Sequence, residues 1–508
     1  VAADLAGGLG AVALFAVPGY GLTEFFPTLR RRPLPRRVAY GYLLGVAAVA
    51  GSLYALSHVG GVPLRPPAVW ATAAAPALAG LAAGLVRRRR ARSAPPRSPG
   101  RRAGSRALAA DAGGFSRAAA WIRHLGGPLA AACALAAALI CLGVFAESVT
   151  NPPHDWDGRM TWCTQARYVR AAGTVDAGVL LDGRWYITHP QYPLLMPVAQ
   201  VAAMEAFGAD PDSPLPRAVY AAFLPALLLL IYDGTRRAAG RTAGALAALA
   251  ATAAPFFLYG EGGAESTYSD LPLACFYGAA LVLLLGPRPR VDPGLAVAAG
   301  LLLAAAVLTK NEGAVLACLA LALGWRAGGP AGASLRHPSR AVAWRFAAAV
   351  APVMLALAFF ASWRAGIPNR QDENYPELMQ AGHVWPGIVT NAAAFVPVMI
   401  DKMNRFGHWA GFWWLVPAAL LAGRRALRHP RVRSYLAAAA GPPAIAWAAC
   451  SIHPQPAFLA SVTWERFLLQ SVVPLLIVLA CALAEVRRHL VDDWRRSPET
   501  PGPTAPVG

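Results

Sequence analysis

Apolar runs long enough to cross a bilayer recur along almost the whole chain, and that recurrence leaves few folds open. They stand at 38–56, 69–86, 128–144, 219–231, 246–258, 271–285, 295–308, 346–360, 413–421, 436–449 and 467–484. Crossing about 30 Å of hydrocarbon takes about 20 residues of helix, which most of these runs reach with their flanks. Hydrophobic residues make up 56% of the sequence and charged residues 14%, a balance that excludes an ordinary soluble domain. The chain reads as an all-α polytopic membrane protein with about thirteen transmembrane helices. The first apolar segment, 2–26, has no basic stretch before it and reads as a span, not a cleaved signal.

The formal net charge of +20 comes from short basic blocks between the apolar runs: "RRRPLPRR" at 30–37, "RRRRARSAPPRSPGRR" at 87–102, Arg236–Arg241, "GPRPR" at 286–290, "RRALRHPRVR" at 424–433 and "RRH" at 487–489. This is the pattern of positively charged cytoplasmic loops. No block carries the interleaved aromatics of a base-stacking surface, so nucleic acid is not an expected partner. Six of the seven cysteines lie in apolar runs, and no CxxC spacing occurs, so neither a disulfide framework nor a zinc site follows.

Placing every basic block inside divides the chain into four parts. Residues 1–86 hold three N-terminal spans, and 87–126 form an Arg/Pro-rich cytoplasmic loop. Residues 127–485 hold the remaining membrane core, and 486–508 a cytoplasmic tail. In this arrangement 148–216 form a long first outer loop. Its apolar stretch "YPLLMPVAQVAAMEAFG" (192–208) must then lie along the outer surface as a helix, because a further span would turn every later basic block outward. Acids and histidines collect in the outer segments, while the helix interiors stay nearly free of charge.

Five stretches there carry groups able to do chemistry. In "NPPHDWDGRMTWCTQARYV" (151–169), Asp155 and Asp157 stand at i and i+2; extended backbone would point both to one side, ~6–7 Å apart. Such a carboxylate can take a proton from an alcohol nucleophile or ligate a metal; equally, Asp157 can cap the helix that follows. In "GEGGAESTYSDLPL" (260–273), Glu261, Glu265 and Asp270 are close enough in sequence to share a divalent cation, or Asp270 caps the next helix. In "AVLTKNEGAVL" (306–316), the Lys310 ammonium suits a lipid phosphate, or pairs with Glu312. Arg466, in "SVTWERFLLQ", offers a second cation, or pairs with Glu465. His189 opens "HPQYPLLMP" in the first outer loop.

The long first outer loop, "HPQYPLLMP", "YSDLPLACFYGAALVLLL", "VLTKNEG" and the late "ERFLL…P" together resemble bacterial GT-C membrane glycosyltransferases, in the branch similar to protein O-mannosyltransferases and lipid A aminoarabinose transferase. The resemblance covers residues 127–485. It implies inverting transfer of a sugar from a polyprenyl-phosphate donor to a glycan, lipid or protein acceptor at the outer face of the bacterial plasma membrane. It further implies Asp157 as catalytic base with Asp155 as second candidate, and Lys310 and Arg466 as donor-phosphate ligands. Asp270, Glu265, Glu312 and His189 are the candidate substrate or metal ligands, with a divalent metal ion as candidate cofactor. The sequence departs from many relatives in carrying Asn311 and Glu312 after Lys310, and it lacks an adjacent Asp-Glu pair in the first loop. The rival class is a transporter or flippase for a lipid-linked saccharide, which would place ionisable groups in mid-span.

Overall fold

The computed structural model describes residues 2–93, 126–286, 292–328, 340–368, 377–378 and 389–496. Most of the expected cytoplasmic loop 87–126 and half of the C-terminal tail lie outside these residues, as does the "GPRPR" block after Gly286. Among the described residues the structure is all-helical, with no strand, as the apolar periodicity predicts.

The helices that matter for the site are α1 (Ala2–Leu22), α2 (Leu34–Gly60), α3 (Pro66–Ser93), α4 (Pro128–Thr150) and α5 (Leu195–Phe207). They continue with α6 (Leu215–Ala239), α7 (Asp270–Leu284), α8 (Pro293–Val307), α9 (Glu312–Gly328) and α10 (Arg340–Arg364). The last four are α11 (Ala392–Asn404), α12 (Pro430–Ile452), α13 (Pro456–Gln470) and α14 (Val472–Arg496). Their ends follow ordinary capping chemistry. The Asp292 carboxylate accepts from Gly294 N at 3.0 Å and Leu295 N at 3.4 Å to open α8 ahead of Pro293, and Gly61 closes α2 at φ 61°.

Among the described residues, seven helices are long and apolar enough to cross a membrane, and the pair α13/α14 makes an eighth if it is one bent span. The thirteen expected spans are therefore not all of spanning length. Helices α7 and α8 have 15 residues each, about 22 Å of helix, short of the ~30 Å core. The expected span 242–258 breaks into Arg241–Thr252 and Phe256–Tyr259 at Pro255. The expected last span, 467–485, is interrupted at Ser471, where the two halves bend by 56°. Pro474 explains the break: it has no N–H to give, and its ring collides with the carbonyl four residues earlier, that of Gln470.

Helix α5 corrects the surface-helix expectation for 192–208. Leu195 through Glu205 are all buried, and the helix packs between α2 and the Thr164–Ala172 helix, not along a lipid face. An apolar helix with no polar stripe is what a buried position requires. Its first N–H, at Leu195, bonds the Leu308 carbonyl at 3.0 Å and so ties the first loop to the turn that carries Lys310.

One continuous hydrophobic core runs from Ala11 to Leu479, so the N-terminal helices are built into the same body as the rest. The α1/α2 contact is a backbone contact. A Cβ on Gly19 would stand 1.7 Å from the Gly41 oxygen, and one on Gly45 1.8 Å from the Phe15 oxygen. Gly41 and Gly45 form a GxxxG stripe, the spacing that lets membrane helices touch along one face. Helix α2 in turn packs on α5, α6 and α8.

Candidate functional site

Asp270 is the fixed point of the site. It is the first residue of α7, but its side chain makes no capping bond; it is fully buried and turned to other helices. Lys310 Nζ reaches its Oδ1 at 2.8 Å, Arg466 Nε donates to its Oδ2 at 3.1 Å, and Gln470 Nε2 donates to Oδ1 at 3.3 Å. Lys310 also pairs with Glu312 at 2.8 Å, and Gln470 donates to the same Glu312 oxygen at 3.3 Å. A buried carboxylate is tolerated only where such partners compensate it, and breaking a pair of this kind costs about 3–5 kcal/mol.

Arg466 carries the chain outward. Its Nη1 donates to Asp157 Oδ2 at 2.8 Å, and its guanidinium lies 4.7 Å from the Tyr268 ring centroid. Tyr268 Oη accepts from Asp157 N at 3.1 Å, fixing the backbone of the first loop. The result is a row of alternating charge, Asp157–Arg466–Asp270–Lys310–Glu312, contributed by four distant stretches of sequence. Exposure falls steeply along it: the Asp157 side chain is 32% exposed, that of Arg466 10%, and that of Asp270 is fully buried. Asp157 is the most exposed carboxylate of the row, against 12% for the Glu312 side chain, and its Oδ1 accepts no hydrogen bond among the described residues.

The two first-loop acids do not point together. Asp157 is helical (φ −62°, ψ −34°), not extended, and makes no side-chain cap. Asp155, just before the helical turn, has different partners and meets Thr267 N and Oγ1 at 3.4 Å. Burial pushes the Asp155 carboxyl above the usual carboxylate range, against the pull of those donors. Gly158 is packed on Asp155 so tightly that a Cβ would stand 1.6 Å from Asp155 Oδ2.

Glu265 is not brought to Asp270. Its surroundings are Glu147, Arg217 and His154; burial, then the Glu147 charge, raises its carboxyl. Among the described residues no group of three or more His, Cys, Asp or Glu side chains is arranged to hold a metal ion, so the acids of 261–270 do not form the shared cation site their spacing suggested. Lys310 shows the pairing with Glu312 in addition to Asp270 and is 5% exposed, which leaves little of it open to a lipid phosphate. His189 occupies a left-handed backbone position (φ 48°) and stacks on Tyr192 at 4.9 Å. Tyr192 lies within electrostatic reach of Arg466, so this pair borders the ion row.

Several contributors were not singled out from sequence. Gln470 sits four residues after Arg466, hence on the same helical face, which was the available signal. Arg217, 1% exposed, donates to the Glu265 carbonyl at 2.7 Å, the Asn151 carbonyl at 2.9 Å and Glu147 at 2.6 Å, bracing the two loops that carry the acids. Glu465 does not pair with its neighbour Arg466. It receives Lys402 at 3.1 Å, His408 at 2.6 Å and Trp409 Nε1 at 3.2 Å, a second polar cluster beside the first.

No family model and no curated protein matches the chain. Among solved structures, it is similar to the crystal structure of ArnT from Cupriavidus metallidurans bound to undecaprenyl phosphate, at 18% identity and a TM-score of 0.46. The alignment covers 69% of this chain and 59% of that one, so the chain spans under two thirds of the ArnT length.

Proposed function

We propose that this chain is an integral membrane glycosyltransferase that moves a sugar from a polyprenyl-phosphate donor to a glycan, lipid or protein acceptor at the outer face of a bacterial plasma membrane, with inversion. The observation that carries this reading is the ion row with its most exposed carboxylate at its head. Transfer from a polyprenyl phosphate builds positive charge on the sugar and negative charge on the leaving phosphate. A carboxylate on one side and a guanidinium beside it answer both needs. Asp157 takes the acceptor's proton as the anomeric carbon–oxygen bond to phosphate breaks, as the base does in inverting glycosidases. The N–H groups of Arg466 not spent on Asp157 and Asp270 stabilise the departing phosphate, in a water-poor setting where such a contact is strongest. Lys310 is a positioning residue here: it holds Asp270, which holds Arg466.

The test is transfer from a radiolabelled undecaprenyl-phosphate sugar panel by protein in liposomes reconstituted with an extract of bacterial membranes, which supplies the endogenous acceptors. Asp157→Asn should lower turnover by about 10²–10⁴-fold while donor binding survives. Turnover of the variant at a tenth of the parent's or above would remove Asp157 as the base. Donor movement across the bilayer with no transferred sugar would establish the flippase class instead.

A further inference from the structure

At the end of the molecule away from the ion row, arginines from four separate basic blocks gather. Asp233, fully buried in α6, is shared by Arg32, Arg36, Arg236 and Arg237, so four guanidiniums answer one carboxylate. Beside this knot opens a cavity of about 410 Å³, into which Arg237 also faces. Its rim adds Arg425, Arg431 and Arg488, with Glu485 the single acid among the described residues that line it. Glu485 is already engaged by Arg488 at 2.6 Å, and Arg425 reaches only the His489 ring, at 2.7 Å. The rim therefore carries a surplus of positive charge that the described residues do not neutralise. The apolar lining with surface open to the cavity is Ala238 and Cys481, with Val432 and Tyr435 nearly buried beside them. Helix α7 measures the separation: Asp270 begins it, and Leu285 at the cavity directly follows its last residue, about 22 Å of helix away.

We infer that this cavity binds the phosphate of an anionic lipid, with Arg425 and Arg431 on the headgroup and the acyl chain along Ala238 and Cys481. A cationic rim over an apolar wall at a helix-bundle end matches a molecule with a phosphate at one end and hydrocarbon at the other. A soluble phosphate would use the rim and leave the wall wet. The site is separate from the ion row and does not depend on the transferase reading.

Native mass spectrometry of protein released from phosphatidylcholine nanodiscs containing phosphatidylglycerol tests it. The parent should retain phosphatidylglycerol over phosphatidylcholine, and the Arg425→Gln/Arg431→Gln double variant should lose that preference by about tenfold. Glu485→Gln, which removes the one acid among the described rim residues, should strengthen retention and guards against a folding defect in the double variant. Equal retention by parent and double variant would overturn the proposal. So would protection by inorganic phosphate alone with no preference between the two lipids.

Discussion

Asp157 and Asp270 grip the same guanidinium, yet substitution should cost very different amounts of stability at the two positions. Asp270 is fully buried with two cations on it, so Asp270→Asn leaves buried Lys310 with Glu312 alone and buried Arg466 with Asp157 alone, and should cost about 3–5 kcal/mol. Asp157→Asn leaves Arg466 on Asp270 and removes one partly exposed pair, worth about 1 kcal/mol or less. Thermal unfolding of both variants in detergent decides this; equal losses would contradict the gradient of burial. Asp155 gives a pH signature. Its folded carboxyl titrates above the usual range because of burial, so the folded state holds the proton better than the unfolded one. That contribution is present in acid and disappears as pH rises through the folded value. The melting temperature of Asp155→Asn relative to the parent should therefore climb from acid toward neutral pH, and a flat difference would show that Asp155 is not penalised by burial. These residues were readable in sequence as acids beside a bilayer, but not their partners. Arg466 lies 309 positions from Asp157, and nothing in local spacing announces such a pair.

At the scale of elements, the α1/α2 contact makes the sharpest demand on composition. Gly45→Leu would drive a side chain into the Phe15 carbonyl, and overpacking of this kind costs about 1–3 kcal/mol or more. The variant should elute as aggregate or melt earlier on size exclusion, while substitution at Gly84, where a Cβ meets nothing within 4 Å, should be silent. The helices themselves were legible because apolar runs of 15–25 residues leave the backbone no other way to bond itself in hydrocarbon. Their fate was less so. A helix apolar on every side, such as Leu195–Phe207, satisfies a lipid face and a protein core equally, and only the neighbours decide. The bend between Gln470 and Val472 was within reach of the sequence, since Pro474 forbids a straight helix there.

For the whole molecule, the four basic blocks that meet around Asp233 and the cavity fix one end of the bundle, and the ion row marks the other. If the arginine end faces the cytoplasm, Trp156→Cys, at a position 66% exposed near Asp157, should react with an impermeant maleimide added to intact cells. Arg428→Cys, exposed at the other end, should react only after permeabilisation. The reverse pattern would invert the topology and move the chemistry inside. The ion row also sets an order on biosynthesis. Asp157, Asp270, Lys310 and Glu312 are all made before Arg466 leaves the ribosome, so for more than a hundred residues of synthesis three acids face one cation. An unbalanced charge at the membrane is held in place only provisionally. The site is thus closed by nearly the last helix to arrive, and a chain cut short before α13 would keep most of its hydrophobic helices while lacking the counter-charge that locks them together.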